Sequence, residues 1–209
     1  MRHLLFLITC LFLPFSVAAA EPLRIVALGD SLTAGYGLES GQSFASRLQT
    51  ALIDAGLNVR VDNAGVSGDT TSGGLARVDW AIDGPQKPTL VIVALGANDM
   101  LRGLDPELTR QNLAAILKKL QDQKIQALLV GMRSPLNMGA VYQKKFDDIY
   151  PALAKEYNIP LHPFFLEGVA MNPNLNQGDG VHPTLEGVDV MVKNILPIIK
   201  KTLAGTTPD

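Results

Sequence analysis
Five short apolar runs, each separated from the next by a stretch of helical spacing, constrain this chain more than any other feature. They lie at Leu23–Leu28, Val59–Asn63, Leu90–Leu95, Ala127–Gly131 and a short Leu161–Phe164. Runs of this length read as buried strands. Between them, Ser43–Ala55 carries Phe44, Leu48 and Leu52 at helical spacing. Asp105-Pro106-Glu107 opens a helix with a capping acid and an early proline, and Leu113, Ile116, Leu117 and Leu120 form its inner stripe. Gln143–Tyr157 and Leu185–Leu203 are the other long helical stretches, and Pro151 and Pro197 argue for a break or kink in each. Strands alternating with helices imply a parallel sheet covered on both faces, a three-layer α/β/α domain.

The first twenty residues stand apart from this pattern. Arg2 and His3 precede an apolar run from Leu4 to Val17, and Ala18-Ala19-Ala20 follows. That is the composition of a secretory signal peptide (residues 1–20), cleaved near Ala20, and the run is short for a stable membrane anchor. The expected product is periplasmic or secreted, with 209 − 20 = 189 residues and a formal charge of 17 − 20 = −3 once Arg2 is removed. The one cysteine, Cys10, goes with the signal. The mature chain therefore has no disulfide, thiolate nucleophile or zinc-thiolate site, and a single domain over residues 21–209 must be stabilised by its core. With 18% charged residues and no basic excess, nothing marks a nucleic-acid binder.

Chemistry-bearing residues gather where strands end. The first strand leads into Gly29-Asp30-Ser31, the second into Ala64-Gly65-Val66-Ser67-Gly68-Asp69, and the third into Gly96-Ala97-Asn98-Asp99. In a parallel sheet these ends share one edge, where open α/β folds bind ligands. Asp179-Gly180-Val181-His182-Pro183 adds a carboxylate and an imidazole on one short loop. A serine hydroxyl needs a base to take its proton, and the base works best when a third group orients it. Ser31 is the expected nucleophile, His182 the base and Asp179 the orienting acid. Two plainer roles stand beside these: Ser31 as a helix N-cap and Asp179 as a turn former. His162, in the apolar Pro160-Leu161-His162-Pro163-Phe164, reads as structural.

Acyl transfer also needs N–H donors for the developing oxyanion. The Ser31 and Gly68 amides and the Asn98 side chain are the candidates; Gly68 alone could equally be a loop glycine. Asp30, Asp69 and Asp99 raise a metal reading, but two histidines in the mature chain supply few ligands, and no metal or cofactor is expected. Accepting backbone N–H bonds within their own turns is the expected role of these three acids. The α/β-hydrolase elbow Gly-x-Ser-x-Gly is absent, since Thr33 stands where its second glycine belongs.

Gly29-Asp30-Ser31-Leu32, Gly68, Gly96-x-Asn98-Asp99 and Asp179-x-x-His182-Pro183, in this order, resemble the SGNH (GDSL) hydrolase family. Within it the chain is similar to the secreted bacterial multifunctional esterases and arylesterases from about Leu23 to about Leu196. The resemblance implies a flavodoxin-like five-stranded sheet and the same triad and oxyanion residues. It also implies cofactor-free hydrolysis of esters and thioesters, with aryl esters, acyl-CoA or lysophospholipids as substrates. Rival readings are a carbohydrate O-deacetylase on the same triad, a metal-dependent phosphoesterase and a non-catalytic periplasmic binding protein. The loop Arg133–Ala140 leaves the fourth strand at the same edge. Leu136 and Met138 in it form either a plain surface loop or a wall of the acyl-binding groove. A monomer is expected.

Overall fold
The computed structural model describes residues 21–205; the expected signal peptide and the last four residues lie outside them. Five strands, β1 (Leu23–Gly29), β2 (Val59–Gly65), β3 (Leu90–Ala94), β4 (Gln126–Val130) and β5 (Leu161–His162), form one sheet. Its order is β2-β1-β3-β4-β5, with every neighbouring pair parallel. The order reverses between β1 and β3, so the connections leaving these strands diverge and open a crevice at their carboxyl ends.

Eight helices surround the sheet: α1 (Ser31–Ala34), α2 (Phe44–Asp54), α3 (Thr71–Ile82), α4 (Ala97–Leu101), α5 (Pro106–Asp122), α6 (Ala140–Asp147), α7 (Ile149–Tyr157) and α8 (Leu185–Ala204). α2 packs on α8, while α3 packs on α5 and α5 on α7, giving the two outer layers of an α/β/α sandwich. All five residues of β3 are buried, as a central strand covered on both faces requires. Phe44, Leu48 and Leu52 of α2 and Leu113, Ile116, Leu117 and Leu120 of α5 are buried, so the helical spacing identifies the packed faces. Phe44 meets Phe165 edge-on, with ring centres 4.8 Å apart, locking α2 to the segment after β5.

Three local expectations are revised, and one helix is added that the sequence pattern does not single out. β5 stops at His162 rather than Phe164: the Gly131 N–H still donates to the His162 carbonyl, but the Gly131 carbonyl accepts from Phe165, one residue out of register with the ladder. The break in Gln143–Tyr157 falls at Asp148, between α6 and α7. Pro151 lies in the first turn of α7, where a missing N–H is cheap. α8 continues through Pro197. That proline and Lys193, the residue four before it, are both exposed, so the freed carbonyl faces water. Finally, α3 is a twelve-residue helix across Ser72-Gly73-Gly74, a segment whose glycines conceal it in the sequence. A Cβ at Gly73 would strike the Asp69 carboxylate, and one at Gly74 would strike the Leu95 side chain. Helix propensity is sacrificed there for close approach to the two loops that carry the site.

Candidate active site
β1 delivers Ser31 to the carboxyl edge. The N-cap of α1 is Asp30, whose Oδ1 accepts the Leu32 N–H at 3.0 Å. Ser31 is thus the first helical residue rather than the cap, and its hydroxyl is left for His182: Oγ lies 3.0 Å from Nε2. Ser31 sits in the first turn of α1, and its amide has no partner within the described residues.

The imidazole comes from the other end of the chain, 151 residues away. Asn176 and Pro183 form an antiparallel bridge, and the Gln177 N–H donates to the His182 carbonyl at 2.7 Å, closing the Asp179–His182 loop. The Gln177 side chain then donates to the Tyr36 carbonyl at 2.8 Å and to the Pro183 carbonyl at 2.9 Å. This glutamine stitches the histidine loop to the segment just after α1. The Tyr36 ring also lies against the imidazole, with ring centres 4.5 Å apart.

Asp179 makes the contacts that both readings of it call for. Oδ1 accepts the N–H groups of Val181 and His182 at 2.9 and 3.0 Å, shaping the turn, and Oδ2 meets His182 Nδ1 at 2.6 Å. The His182 N–H bond, the ring contact and the Val181 N–H hold this carboxyl well below the usual carboxylate range. An ionised Asp179 can only accept, so Nδ1 carries the proton and Nε2 is free to receive one from Ser31.

Gly68 and Asn98 converge from β2 and β3. Gly68 has φ +81°, a left-handed conformation natural to glycine, and its N–H has no partner among the described residues. Asn98, on the first turn of α4, donates through Nδ2 to the Asp69 carbonyl at 2.9 Å and toward Asp30 Oδ2 at 3.3 Å. Asp30 is 2% exposed, and burial raises its carboxyl pKa to about 6, against a smaller opposing effect of the Leu32 N–H.

Asp30 bonds within its own turn, as expected; Asp69 and Asp99 do not. Asp69 Oδ2 pairs with Arg77 Nε at 2.6 Å, and the same guanidinium donates to the Ala64 and Gly29 carbonyls at 2.7 and 2.8 Å. Arg77 thereby ties the ends of β1 and β2 to the Gly68 loop. Asp99 accepts the Thr71 N–H at 2.8 Å, the Thr71 hydroxyl at 2.5 Å and the Thr109 hydroxyl at 3.3 Å, all outside its own turn. Arg102 donates to the Gly68 carbonyl at 2.6 Å. Arg77, Arg102 and Gln177 escape sequence reasoning because surface arginines and glutamines are commonplace; nothing but their contacts marks them.

Leu136 and Met138 occupy a 3-10 turn after β4, at the same edge. Leu136 is 83% exposed. Met138 borders an open cleft with Pro106, Val141 and Tyr142 that no triad residue lines. His162 is buried on β5, and burial lowers its pKa, in keeping with a structural histidine. Among the described residues no three His, Cys, Asp or Glu side chains converge as a metal site.

Comparison with known proteins bears on the family of the whole chain. Residues 27–190 match the model of the GDSL-like lipase/acylhydrolase family. The esterase TesA of Pseudomonas aeruginosa is 40% identical over 203 residues, covering 97% of this chain and 100% of that protein. The thioesterase 1/protease 1/lysophospholipase L1 of Escherichia coli K12 is 40% identical over 201 residues, 94% of this chain and 93% of that protein. Among solved structures, AlinE4, described as an SGNH-hydrolase family esterase, superposes with a TM-score of 0.76 at 52% identity, covering 89% of this chain and 99% of that one. An ordered Ser31–His182–Asp179 relay at the edge of a 2-1-3-4-5 sheet, together with these matches, leaves one family: the chain belongs to the GDSL-like lipase/acylhydrolases.

Proposed function
We propose that this chain is a serine hydrolase of carboxylic esters and thioesters, working through an acyl-Ser31 intermediate. The observation that carries the reading is the continuous relay from Ser31 Oγ to His182 Nε2 at 3.0 Å and from His182 Nδ1 to Asp179 at 2.6 Å. Ser31 Oγ attacks the substrate carbonyl while its proton passes to Nε2. The imidazolium is held by Asp179, which stays ionised. The tetrahedral oxyanion is met by the Ser31 and Gly68 amides and the Asn98 side chain. Collapse expels the alcohol or thiol, protonated from Nε2. Water then attacks the acyl ester along the same path and releases the acid and free Ser31.

The substrates are small acyl esters and thioesters: aryl esters, thioesters and lysophospholipids are the classes that the names of its relatives suggest, and acyl-CoA is the thioester class proposed here. Leu136 and Met138 are proposed to border the acyl chain. The mature chain acts as a monomer in the periplasm or outside the cell after cleavage near Ala20. No helix among the described residues is long and apolar enough to cross a membrane. A binding module has no use for a hydroxyl aligned with an imidazole and a carboxylate, so catalysis is the better reading.

The test is covalent labelling. A fluorophosphonate should modify Ser31 alone, found by mass spectrometry. Ser31→Ala should fold normally and lose nearly all hydrolysis of a chromogenic acyl ester, while chelators leave the wild type active. Label on another residue, or an active Ser31→Ala, overturns the reading.

A further inference from the structure
The Asn98 side-chain amide has two N–H bonds, and two acceptors face them. One is the Asp69 carbonyl at 2.9 Å; the other is Asp30 Oδ2 at 3.3 Å. In the ionised enzyme neither can donate in return, since the first is a backbone oxygen and the second belongs to a carboxylate. A primary amide is nearly the same shape when turned over, so its surroundings decide which end points where. Turned by 180°, Asn98 would set its own oxygen against two others and lose both bonds. Asp30 is 2% exposed, so water is a poor substitute acceptor there. Its other oxygen is fixed by the Leu32 N–H at 3.0 Å, which ties the carboxylate to the helix turn that carries Ser31.

We propose that Asp30 is a positioning residue for the oxyanion hole: with the Asp69 carbonyl it keeps the NH2 end of Asn98 turned toward the nucleophile and couples that donor to the Ser31 turn. This rests on the proposed role of Asn98 as an oxyanion donor. The division of labour follows from the two distances. The Asp69 bond has ordinary length and is the anchor; Arg77 holds the Asp69 side chain behind it at 2.6 Å. The 3.3 Å bond lies beyond the common N–H···O range, so its hydrogen is the one a stronger acceptor can claim. An oxyanion forming on the substrate is that acceptor. Asp30 therefore aims the amide in the resting enzyme and yields it in the transition state.

A capping role by itself makes a different forecast. Asp30 would then matter through the Leu32 N–H, and its loss would be indifferent to Asn98. A charge effect on His182 would be equally indifferent to Asn98. A double-mutant cycle separates these. kcat and KM for a short chromogenic ester are measured near pH 8 in Asp30→Asn, Asn98→Ala and the double variant. Asparagine at position 30 keeps an oxygen for Leu32 and turns an NH2 group against the NH2 of Asn98. Asp30→Asn should lower kcat by on the order of 10²-fold with KM nearly unchanged, as for a misaimed catalytic group. Asn98→Ala should lower it by on the order of 10²–10³-fold. The double variant should be no worse than Asn98→Ala. Asp30→Ser, whose hydroxyl caps but is too short to reach Asn98, should behave like Asp30→Asn and serves if the latter fails to fold. Multiplied losses in the double variant overturn the positioning role while leaving Asn98 as donor. Full activity in Asn98→Ala overturns the donor assignment itself, and the positioning role with it.

Discussion
Asp30→Asn should yield a more stable protein above neutral pH, at the same time as a slower enzyme. The buried Asp30 carboxyl titrates at about 6 in the folded chain, against 3.8 for the free group. Between those values the folded state binds more protons than the unfolded one, so this group makes stability fall as pH rises, levelling off above about 6. The difference of about 2 pKa units corresponds to about 3 kcal/mol at about 1.36 kcal/mol per unit. Asparagine has no charge to bury and removes that loss. Asn and Asp cap helices about equally well, so the Leu32 bond is largely kept. The new contact between two NH2 groups at Asn98 subtracts on the order of 1 kcal/mol. The net expectation is a gain of about 2 kcal/mol near pH 8, turning into a small loss near pH 4 where wild-type Asp30 is itself neutral. Urea unfolding of both proteins at several pH values between 4 and 8 measures this directly. A stability difference that does not change with pH would refute the reasoning, because the carboxyl would then titrate alike in folded and unfolded chains.

Other outcomes follow from the same geometry. Asp179→Asn should lower kcat by on the order of 10⁴-fold with the fold intact, because an amide N–H can donate to Nδ1 and move the ring proton to Nε2, where it blocks acceptance from Ser31; steady-state kinetics with a chromogenic ester check this. Arg77→Met removes the pairing with Asp69 and the bonds to the Ala64 and Gly29 carbonyls. It should cost about 3–5 kcal/mol of unfolding free energy, as for a broken, largely buried pair, and a variant within 1 kcal/mol of wild type would show that water replaces those bonds. Replacing Leu136 or Met138 by serine should lower the ratio of octanoyl to acetyl ester kcat/KM without changing the melting temperature. An unchanged ratio in both variants would move the acyl groove elsewhere, which the separation of Met138's cleft from the triad makes a sharp question.

Residue order alone determines much of this molecule, for a physical reason. Burial on both faces demands continuous apolar strands, and helices on those faces demand a regular stripe; both leave periodic traces such as Leu90–Ala94 and Leu113–Leu120. The proposed triad is legible because its parts are few: a Gly-Asp-Ser turn straight after the first strand, and one Asp-x-x-His loop in a mature chain whose other histidine lies in an apolar strand. Caps, breaks and close approaches are less legible. Asp30 rather than Ser31 caps α1, Pro197 leaves α8 whole, and Gly73 and Gly74 sit inside a helix because Asp69 and Leu95 press against it. These depend on what faces the backbone from elsewhere in the chain. The same holds for the shell around the site. The Arg77–Gly29, Asp30–Asn98 and Gln177–Tyr36 contacts join residues 48, 68 and 141 positions apart. No local period records such pairings, since a hydrogen bond constrains only the two groups that meet. The sequence carries the chemistry of each group, and the tertiary fold alone decides which groups meet and which way the Asn98 amide faces.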